Sequence, residues 1–326
     1  MDRPNDHQTT AEIAPLIVFN SRKGADALKY SLREAGCQLI EDCWQPTCLQ
    51  KHQPRAIVLD FYEAVRNLWR TRQLKRWASK NGVRVAVLDR DAPWHRGVRR
   101  WRLALFGWLK LADIYASHSL QAGEKWAAQV EYFPNAANLP YYGLGGKSLA
   151  DLRKPENYRY DVSFLGNLNA QRYPEHTERA AFFRRLEPML QQQGISYLFA
   201  DSAGMTVTEQ VDLIQSSKIN INYGAACDSS GVKSWGLPER CYGVPACGGF
   251  LLSDKREHAG KDFEPKTEWA DFSDLHNCVN QIRYYLEHFE RARQVAEAAH
   301  VRVMRDHTYT NRALQLMAML NVTNKQ

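Results

Sequence analysis

The sequence predicts an α/β protein built from two doubly wound parallel sheets, each in its own domain. In both halves of the chain, short apolar runs alternate with stretches of helical length, the pattern of parallel strands joined by crossovers. Between the halves, residues 140–160 carry three glycines and mixed charges without periodicity, as is typical of an interdomain link. A chain of 326 residues is long enough for two medium domains. The expected segments are a disordered lead-in at 1–14, a first domain at 15–140, a link at 141–159, a second domain at 160–310 and a terminal helix at 311–326.

The first domain contains five strand-like runs. They are short, apolar and bounded by charged or turn-forming residues, as expected of buried strands, and they lie at 14–20, 37–40, 55–61, 83–89 and 112–116. Helical stretches follow the first run as far as about Ala35 and the third run from Tyr62 to Lys80. Gly24 suits the turn after the first strand, where Arg22 and Lys23 face either an anion or solvent.

The second domain repeats this pattern. Its strand-like runs lie at 160–167, 195–200, 218–223 and 250–252, and its helical stretches at 177–193, 206–217, 274–299 and 311–320. Thr206 stands where an N-cap is expected, ahead of a polar and then apolar run. The spacing of apolar residues at three and four in 274–299 predicts a helix with one face against the core.

The stretch from Trp235 to Asp254 is the centre of the second domain. Pro238 suits the first position of a helix, and Pro245 removes an interior donor seven residues later, so this helix must be short. Strand, long loop, short helix and strand form one crossover of a parallel sheet, and such sheets bind ligands at the carboxyl ends of their strands. Lys233 and Arg240 bracket the helix start, so we expect an anion there.

A second group of polar residues follows the fourth strand, at the edge where a parallel sheet binds ligands. Asp91 and His95 are titratable, and either is a candidate base toward an acceptor hydroxyl. The alternative is that Asp91 caps the next helix or turn.

Positive charge is concentrated in the first domain. Residues 1–150 hold 22 lysines and arginines against 14 acidic residues, whereas residues 151–326 have a net charge of −1. The stretch from Gly97 to Lys110 mixes arginines with Trp, Phe and Leu, and as a helix it places Trp101, Leu105 and Trp108 on one stripe. This mixture suits a helix on an anionic membrane surface or, alternatively, a helix packed on the sheet with its arginines reaching solvent.

Other classes of protein lack support in the sequence. No apolar run approaches the ~20 residues that a transmembrane helix needs, and the polar lead-in lacks the core of a signal peptide. The seven cysteines form no zinc-type pattern and predict reduced, mostly buried thiols in a cytoplasmic protein. No Walker loop, metalloprotease histidine pair or nicotinamide glycine fingerprint occurs. Because no nucleic-acid module is recognisable, we expect no nucleic-acid partner, and nucleic-acid modification would depend on the basic surface alone.

The run from Gly236 to Leu252, GLPERCYGVPACGGFLL, resembles the signature of group 1 glycosyltransferases of the spore-maturation-protein (CgeB-like) type. The resemblance continues through 263–268 and 284–286 to His307 and Arg312, and so covers roughly the C-terminal half. It implies two Rossmann-like domains facing across a cleft, the GT-B architecture, with the C-terminal helix crossing back onto the first domain. It also implies a nucleotide-diphosphate sugar held mainly by the second domain.

The resemblance, together with the charges that bracket the helix start, assigns roles to particular residues. Gly166, Asn167, Lys233, Gly236, Pro238, Glu239 and Arg240 are expected to bind the donor. Arg240 would also act in catalysis, neutralising leaving-group charge in place of a bound metal, so neither a metal nor another cofactor is expected. Asp91 lies in an Asp-x-Pro element similar to one found at this place in the family and is the candidate catalytic base.

One position departs from the family pattern. The family usually has a glutamate, which would bond the donor ribose, where this chain has Gly243. Either Glu239 substitutes, or the nucleotide sits differently, or donor binding has been lost. The sequence therefore predicts a cytoplasmic glycosyltransferase, peripheral on the inner face of the membrane, whose acceptor is a saccharide, lipid-linked or protein molecule of polysaccharide biosynthesis. The alternative is a GT-B-like binding protein that has lost catalysis and holds an anionic partner.

Overall fold

Two parallel sheets form the framework of the protein and confirm the predicted doubly wound α/β fold. The computed structural model describes residues 14–21, 26–90, 99–121, 123–171, 176–225, 228 and 232–322. The first sheet has the strand order β2-β1-β3-β4-β5-β6. Its strands are β1 (Leu16–Asn20), β2 (Gln38–Ile40), β3 (Ala56–Asp60), β4 (Arg84–Asp89), β5 (Ile114–Ser117) and β6 (Gln129–Tyr132).

Helices cover both faces of the first sheet. They are α1 (Ala27–Glu34), α2 (Pro46–His52), α3 (Phe61–Arg66), α4 (Leu68–Lys80) and α5 (Arg100–Trp108). α1 packs on one face, and α2 to α5 pack on the other. The single helix predicted from Tyr62 to Lys80 is wrong, because the backbone leaves helical geometry at Asn67, whose side chain bonds back to the Glu63 carbonyl at 3.0 Å.

The second sheet has the strand order β11-β10-β9-β7-β8. Its strands are β7 (Tyr160–Leu165), β8 (Tyr197–Ala200), β9 (Ser217–Asn222), β10 (Leu251–Asp254) and β11 (Ala270–Phe272). Its helices are α6 (Thr177–Gln192), α7 (Val207–Gln215), α8 (Arg240–Ala246), α9 (Ala259–Asp262), α10 (Leu275–Glu287) and α11 (Phe289–Asp306), and α12 (Tyr309–Leu320) ends the described chain. All of these strands are parallel, and β8 is added on one side of β7 whereas β9 and the later strands are added on the other. The strand order therefore reverses between β7 and β9, which is the switch point at which such sheets bind ligands.

Two predicted helix boundaries in the second domain are wrong. The helix predicted over 274–299 is interrupted at His288 and continues as α11 to Asp306. The short helix begins at Arg240 rather than at Pro238, because Pro238 only contributes a carbonyl, which accepts from the Cys241 amide at 2.9 Å. Thr206 caps α7 as predicted, in a reciprocal pair with Glu209.

The terminal helix α12 crosses back onto the first domain, as the resemblance implied. Its apolar residues Leu316 and Leu320 belong to the same buried cluster as Leu28 and Leu32 of α1. Arg312 fixes the crossing by donating to the Pro134 carbonyl at 2.9 Å.

One carboxylate joins the two domains. Tyr132, at the end of β6, and Tyr242, in α8, both donate to the same oxygen of Asp262, at 2.6 and 2.7 Å. Asp262 is buried, and burial raises its pKa even though both phenols stabilise the charge. The contact ties a strand of the first domain to two helices of the second.

The cysteines differ from the expectation. Cys43 and Cys48 form a disulfide across the start of α2, so the prediction that they are reduced is wrong, because the short loop brings them together. Cys37, Cys241, Cys247 and Cys278 are free and buried. Within the described ranges, no helix combines the length and apolarity needed to cross a membrane.

Candidate functional site

The carboxyl ends of β7, β9 and β10 converge on a cluster of charged side chains. Gly166 and Asn167 follow β7, Asn222 ends β9 and Asp254 ends β10. Because these strands are adjacent and parallel, the residues that follow them meet at one edge of the sheet. The first turns of α6 and α8 approach the same edge and bring arginines to it.

Arg240 lies half-buried at this edge. Its Nη1 donates to Oδ1 of Asn222 at 2.6 Å, and its guanidinium lies 4.8 Å from the centroid of the Phe164 ring. Gly166 makes this approach possible, since a Cβ there would lie 2.5 Å from Nη2 of Arg240. The structure therefore brings together the predicted residues Gly166 and Arg240, and burial lowers the pKa of Arg240.

Arg179 of α6 is a second guanidinium at this edge, and the sequence prediction missed it. It is buried, and its three nitrogens donate to the backbone oxygens of Tyr223 (2.9 Å), Asn167 (3.2 Å) and Gly224 (3.1 Å). Burial, and then the positive charge of Arg240, lower its pKa to about 9. Within the described part of the chain, neither Arg179 nor Arg240 forms an ion pair with a carboxylate. Since buried charges are usually paired, this edge favours an added anion.

Other charges at the edge are neutralised internally. Arg256 pairs with Asp254 at 3.0 Å and with Asp228 at 2.6 Å, and Lys233 pairs with Asp254 at 2.8 Å. Although burial opposes its ionisation, hydrogen bonds from Arg256 and from backbone amides hold the pKa of Asp228 below its usual range. Asp228 also fixes the loop by accepting from the amides of Ala225 and Ser234, both at 2.8 Å.

A cavity of about 80 Å³ opens beside this cluster. The described residues that line it are Glu178, Arg179, Tyr223, Gly224, Ala225, Asp228, Val232, Lys233 and Asp254. Ligand pockets usually measure roughly 300–1,000 Å³. Lys233 lines the cavity and is exposed, whereas its partner Asp254 is buried, so opening this ion pair would enlarge the cavity toward solvent.

The segment that leads into α8 is held against the first domain. A Cβ on Gly236 would lie 2.2 Å from the carbonyl oxygen of His118, so a side chain there would separate the domains. Asn135 donates to the Leu237 carbonyl at 2.9 Å. Pro238 and Glu239 are half-buried at this seam, and the Tyr309 phenol of α12 donates to Glu239 at 3.3 Å. The predicted donor residues Gly236, Pro238 and Glu239 therefore lie between the domains.

Gly243 faces the interdomain link. A Cβ there would come within 3.1 Å of the ring of Tyr142, so this ring would have to shift by a few tenths of an ångström to admit a side chain at position 243. Burial, together with the charge of Glu239, raises the pKa of the Tyr142 phenol.

Some predicted residues lie outside the described ranges. Asp91, His95 and the first two residues of the stretch from Gly97 to Lys110 are among them. Within that stretch, α5 runs from Arg100 to Trp108 and places Trp101 and Trp108 on one stripe, as the helical spacing predicted, and both are more than half exposed. No group of three or more His, Cys, Asp or Glu side chains within the described ranges is arranged to hold a metal ion.

Comparison with known proteins identifies a family whose model matches this chain. A family model described as glycosyl transferase-like matches residues 149–318, just over half of the chain. No curated protein is similar enough to the sequence to count as a match.

Solved structures share the fold at low identity. Sucrose-phosphate synthase from Thermosynechococcus elongatus is 12% identical, with a TM-score of 0.63 over 94% of this chain and 98% of that chain. HepE from Anabaena, solved in complex with UDP-glucose, is 12% identical, with a TM-score of 0.57 over 94% and 99%. A glycosyltransferase from Rickettsia africae is 9% identical, with a TM-score of 0.62 over 96% and 100%. The family match and the shared fold together show that the chain belongs to the glycosyl transferase-like family and has the GT-B architecture.

Proposed function

We propose that this glycosyltransferase moves a sugar from a nucleotide-diphosphate sugar to an acceptor, without a bound metal. The observation that carries the proposal is the pair of guanidiniums, Arg179 and Arg240, at the switch-point edge of the second sheet, neither of which has a carboxylate partner in the described chain. A diphosphate supplies the missing negative charge. HepE, on the same fold, binds UDP-glucose and UDP, which supports a nucleotide sugar as the ligand.

Arg240 is the residue best placed to stabilise the leaving group. Among the described residues, Arg240 makes one side-chain hydrogen bond, to Asn222, and its other two guanidinium nitrogens are available for phosphate oxygens. A donor aimed at charge that develops in the transition state is worth about 2.7–4 kcal/mol. Lys233 would exchange Asp254 for the diphosphate as the small cavity opens. Gly166 and Asn167 would line the same site from the end of β7.

The finer assignments from the sequence are also proposals. We place the chain in the spore-maturation-protein (CgeB-like) type, on the run from Gly236 to Leu252. Asp91 is proposed as the base that takes the acceptor proton. The acceptor is proposed to be a cell-surface saccharide, lipid-linked or protein molecule.

Nucleotide binding tests the proposal directly. Thermal-shift titration of the whole chain with UDP, GDP, ADP and their glucose conjugates should raise the melting temperature, because a ligand of the folded form stabilises it. Arg240→Ala should remove the shift while its own unliganded melting temperature stays close to that of the wild type. Arg283→Ala, at an exposed arginine of α10, is the matched control and should keep the shift.

A binding protein without catalysis is the second candidate, and Gly243 under the Tyr142 ring is the observation that favours it. The ring is in tight contact with the position at which the family usually has an acid. Absence of a shift with every nucleotide and nucleotide sugar would favour this reading over the transferase. A shift followed by release of free nucleotide on adding sugar acceptors would exclude it.

Peripheral binding at the inner face of a membrane is proposed through α5 and the adjacent α4. The exposed tryptophans Trp69, Trp101 and Trp108 stand among arginines of both helices, and this mixture suits the interface of an anionic bilayer. The chain should float with phosphatidylglycerol vesicles and not with phosphatidylcholine vesicles. Trp101→Ser combined with Trp108→Ser should reduce flotation, and equal binding to both kinds of vesicle would contradict the proposal.

A further inference from the structure

A larger cavity, of about 680 Å³, lies on the first-domain side of the seam. Its walls come from α1, from the start of the interdomain link and from the first residues of α12. The volume is within the range of roughly 300–1,000 Å³ that is usual for small-molecule sites. The site described above does not use this cavity.

Two tyrosines give the cavity aromatic walls. Tyr30 of α1 is 56% exposed and Tyr141 of the link is 50% exposed, although both line a concave surface. Exposed aromatic faces in a cavity are suited to flat, partly apolar ligand surfaces, since the ring carries a negative face. The C–H face of a pyranose ring is such a surface.

The polar lining suits a neutral ligand. Asp26 is already paired with Arg90 at 2.6 Å, and Arg33 with Glu41 at 2.8 Å. Glu34, at the rim, forms no ion pair within the described chain and would repel an anion.

Two uncharged groups in the cavity are available to hydroxyls. The side-chain amide of Asn138 and the hydroxyl of Thr310 line the cavity and make no hydrogen bond to a described residue. An amide supplies both donors and acceptors, which is what a polyhydroxylated ligand requires.

The inner wall of the cavity reaches the start of α8. Tyr309 lines the cavity, and its phenol donates to Glu239, the residue directly before Arg240. The cavity and the paired guanidiniums therefore approach the same point of the seam from opposite domains.

We infer that this cavity seats the acceptor and that the acceptor is a neutral saccharide, stacked between Tyr30 and Tyr141. The inference depends on the proposed function, because it supplies the second substrate of the same reaction. Transfer would join an acceptor hydroxyl to the donor's anomeric carbon, release the nucleotide diphosphate and leave the hydroxyl proton to a base.

A glycan array tests the inference without a donor. The labelled whole chain is applied to an array of neutral and acidic microbial saccharides. Neutral saccharides should bind, and Tyr141→Ala and Tyr30→Ala should each weaken that binding by about fivefold or more, the order expected for one lost aromatic contact. Tyr284→Ala, at an exposed tyrosine of α10, is the matched control and should leave binding unchanged.

Three results would overturn the inference. They are no saccharide binding, binding to acidic saccharides only, and neutral binding that survives Tyr30→Ala with Tyr141→Ala. A UDP thermal-shift titration of the same proteins separates this failure from failure of the proposed function. If the protein binds nucleotide but no saccharide, only the inferred acceptor site is refuted. If it binds saccharide but no nucleotide, the proposed transferase function is refuted.

Discussion

The carboxyl edges of the two sheets differ in whether their charged side chains are paired within the protein. At the first edge, Asp26 and Arg90 neutralise each other, and Asp89 accepts from the Tyr115 phenol at 2.8 Å. At the second edge, Arg179 and Arg240 stand close together with no ion pair in the described chain. The same architecture therefore has one edge whose charges named here are neutralised within the protein, and one edge that gains from an added anion.

This difference separates charges that stabilise the fold from charges that are available to a ligand. A charge that is paired within the protein contributes to folding, and removing its partner destabilises the fold. A charge without a partner costs stability and is retained where it binds something. The predictions below follow from that distinction.

Breaking the Asp26–Arg90 ion pair at the first edge should have the largest effect, and this effect should be on the free energy of unfolding. Arg90→Leu leaves the buried Asp26 carboxylate without its partner, which typically costs about 3–5 kcal/mol at neutral pH. Chemical denaturation of wild type and variant measures the cost. UDP binding by the folded variant should be unchanged, and a loss of binding as large as the loss of stability would contradict the distinction between the edges.

The pH dependence of this variant sharpens the test. Burial opposes ionisation of Asp26, but the charge and hydrogen bonds of Arg90 outweigh it and hold the pKa of Asp26 below its ordinary value of 3.8. The stability from this pair is therefore fully present above that value and is lost as the pH falls below it. The difference in free energy of unfolding between wild type and Arg90→Leu should therefore become smaller in acid. A difference that does not change with pH would show that it does not come from ionised Asp26.

Breaking the second edge should act on turnover rather than on folding. Arg240→Ala removes a donor to the leaving diphosphate, worth about 2.7–4 kcal/mol, so kcat should fall by roughly a hundredfold to a thousandfold. The free energy of unfolding should change little, because burial of an unpaired guanidinium is itself costly. Unchanged kcat in the variant would remove Arg240 from the mechanism.

Crowding Arg240 without removing it should have the smallest effect. Gly166→Ala places a methyl group 2.5 Å from the guanidinium and should displace it, at a cost of about 1–3 kcal/mol in donor binding. Gly143→Ala, in the link, meets no atom within 4 Å and is the matched control. Equal nucleotide affinities for the two variants would show that the position of Arg240 does not matter.

Sequence reasoning found the central strands and the edge strands β2 and β8, but it missed the other two edge strands, β6 and β11. Apolar runs such as 55–61 and 250–252 identify buried strands because both faces of a parallel sheet are covered. β6 escaped because its sequence, QVEY, is half polar and half-buried, and β11 because three residues give no periodicity. Breaks at Asn67 and His288 are single-residue backbone changes within apolar patterns that continue across them.

The site was predicted where its residues are close in sequence. Arg240 lies within the short-helix motif, so the motif identified it. Arg179 lies about sixty residues earlier, in a helix whose pattern is ordinary, and only the packing of α6 brings it to Arg240. The signal that was available is its place in the first turn of α6, the helix that follows Gly166 and Asn167. In such sheets, the helix starts at the carboxyl edge face the ligand.

The Asp262 carboxylate, which accepts from both Tyr132 and Tyr242, has a consequence for engineering fragments and chimaeras of this protein. In a fragment that ends before the link, the phenol of Tyr132 would lose Asp262 as its acceptor. In the complementary fragment, Asp262 would keep the hydrogen bond from Tyr242 and lose the one from Tyr132. Neither half alone keeps this contact, and a chimaera that joins the second domain to another first domain keeps it only if a tyrosine stands at the end of the last strand of that first domain.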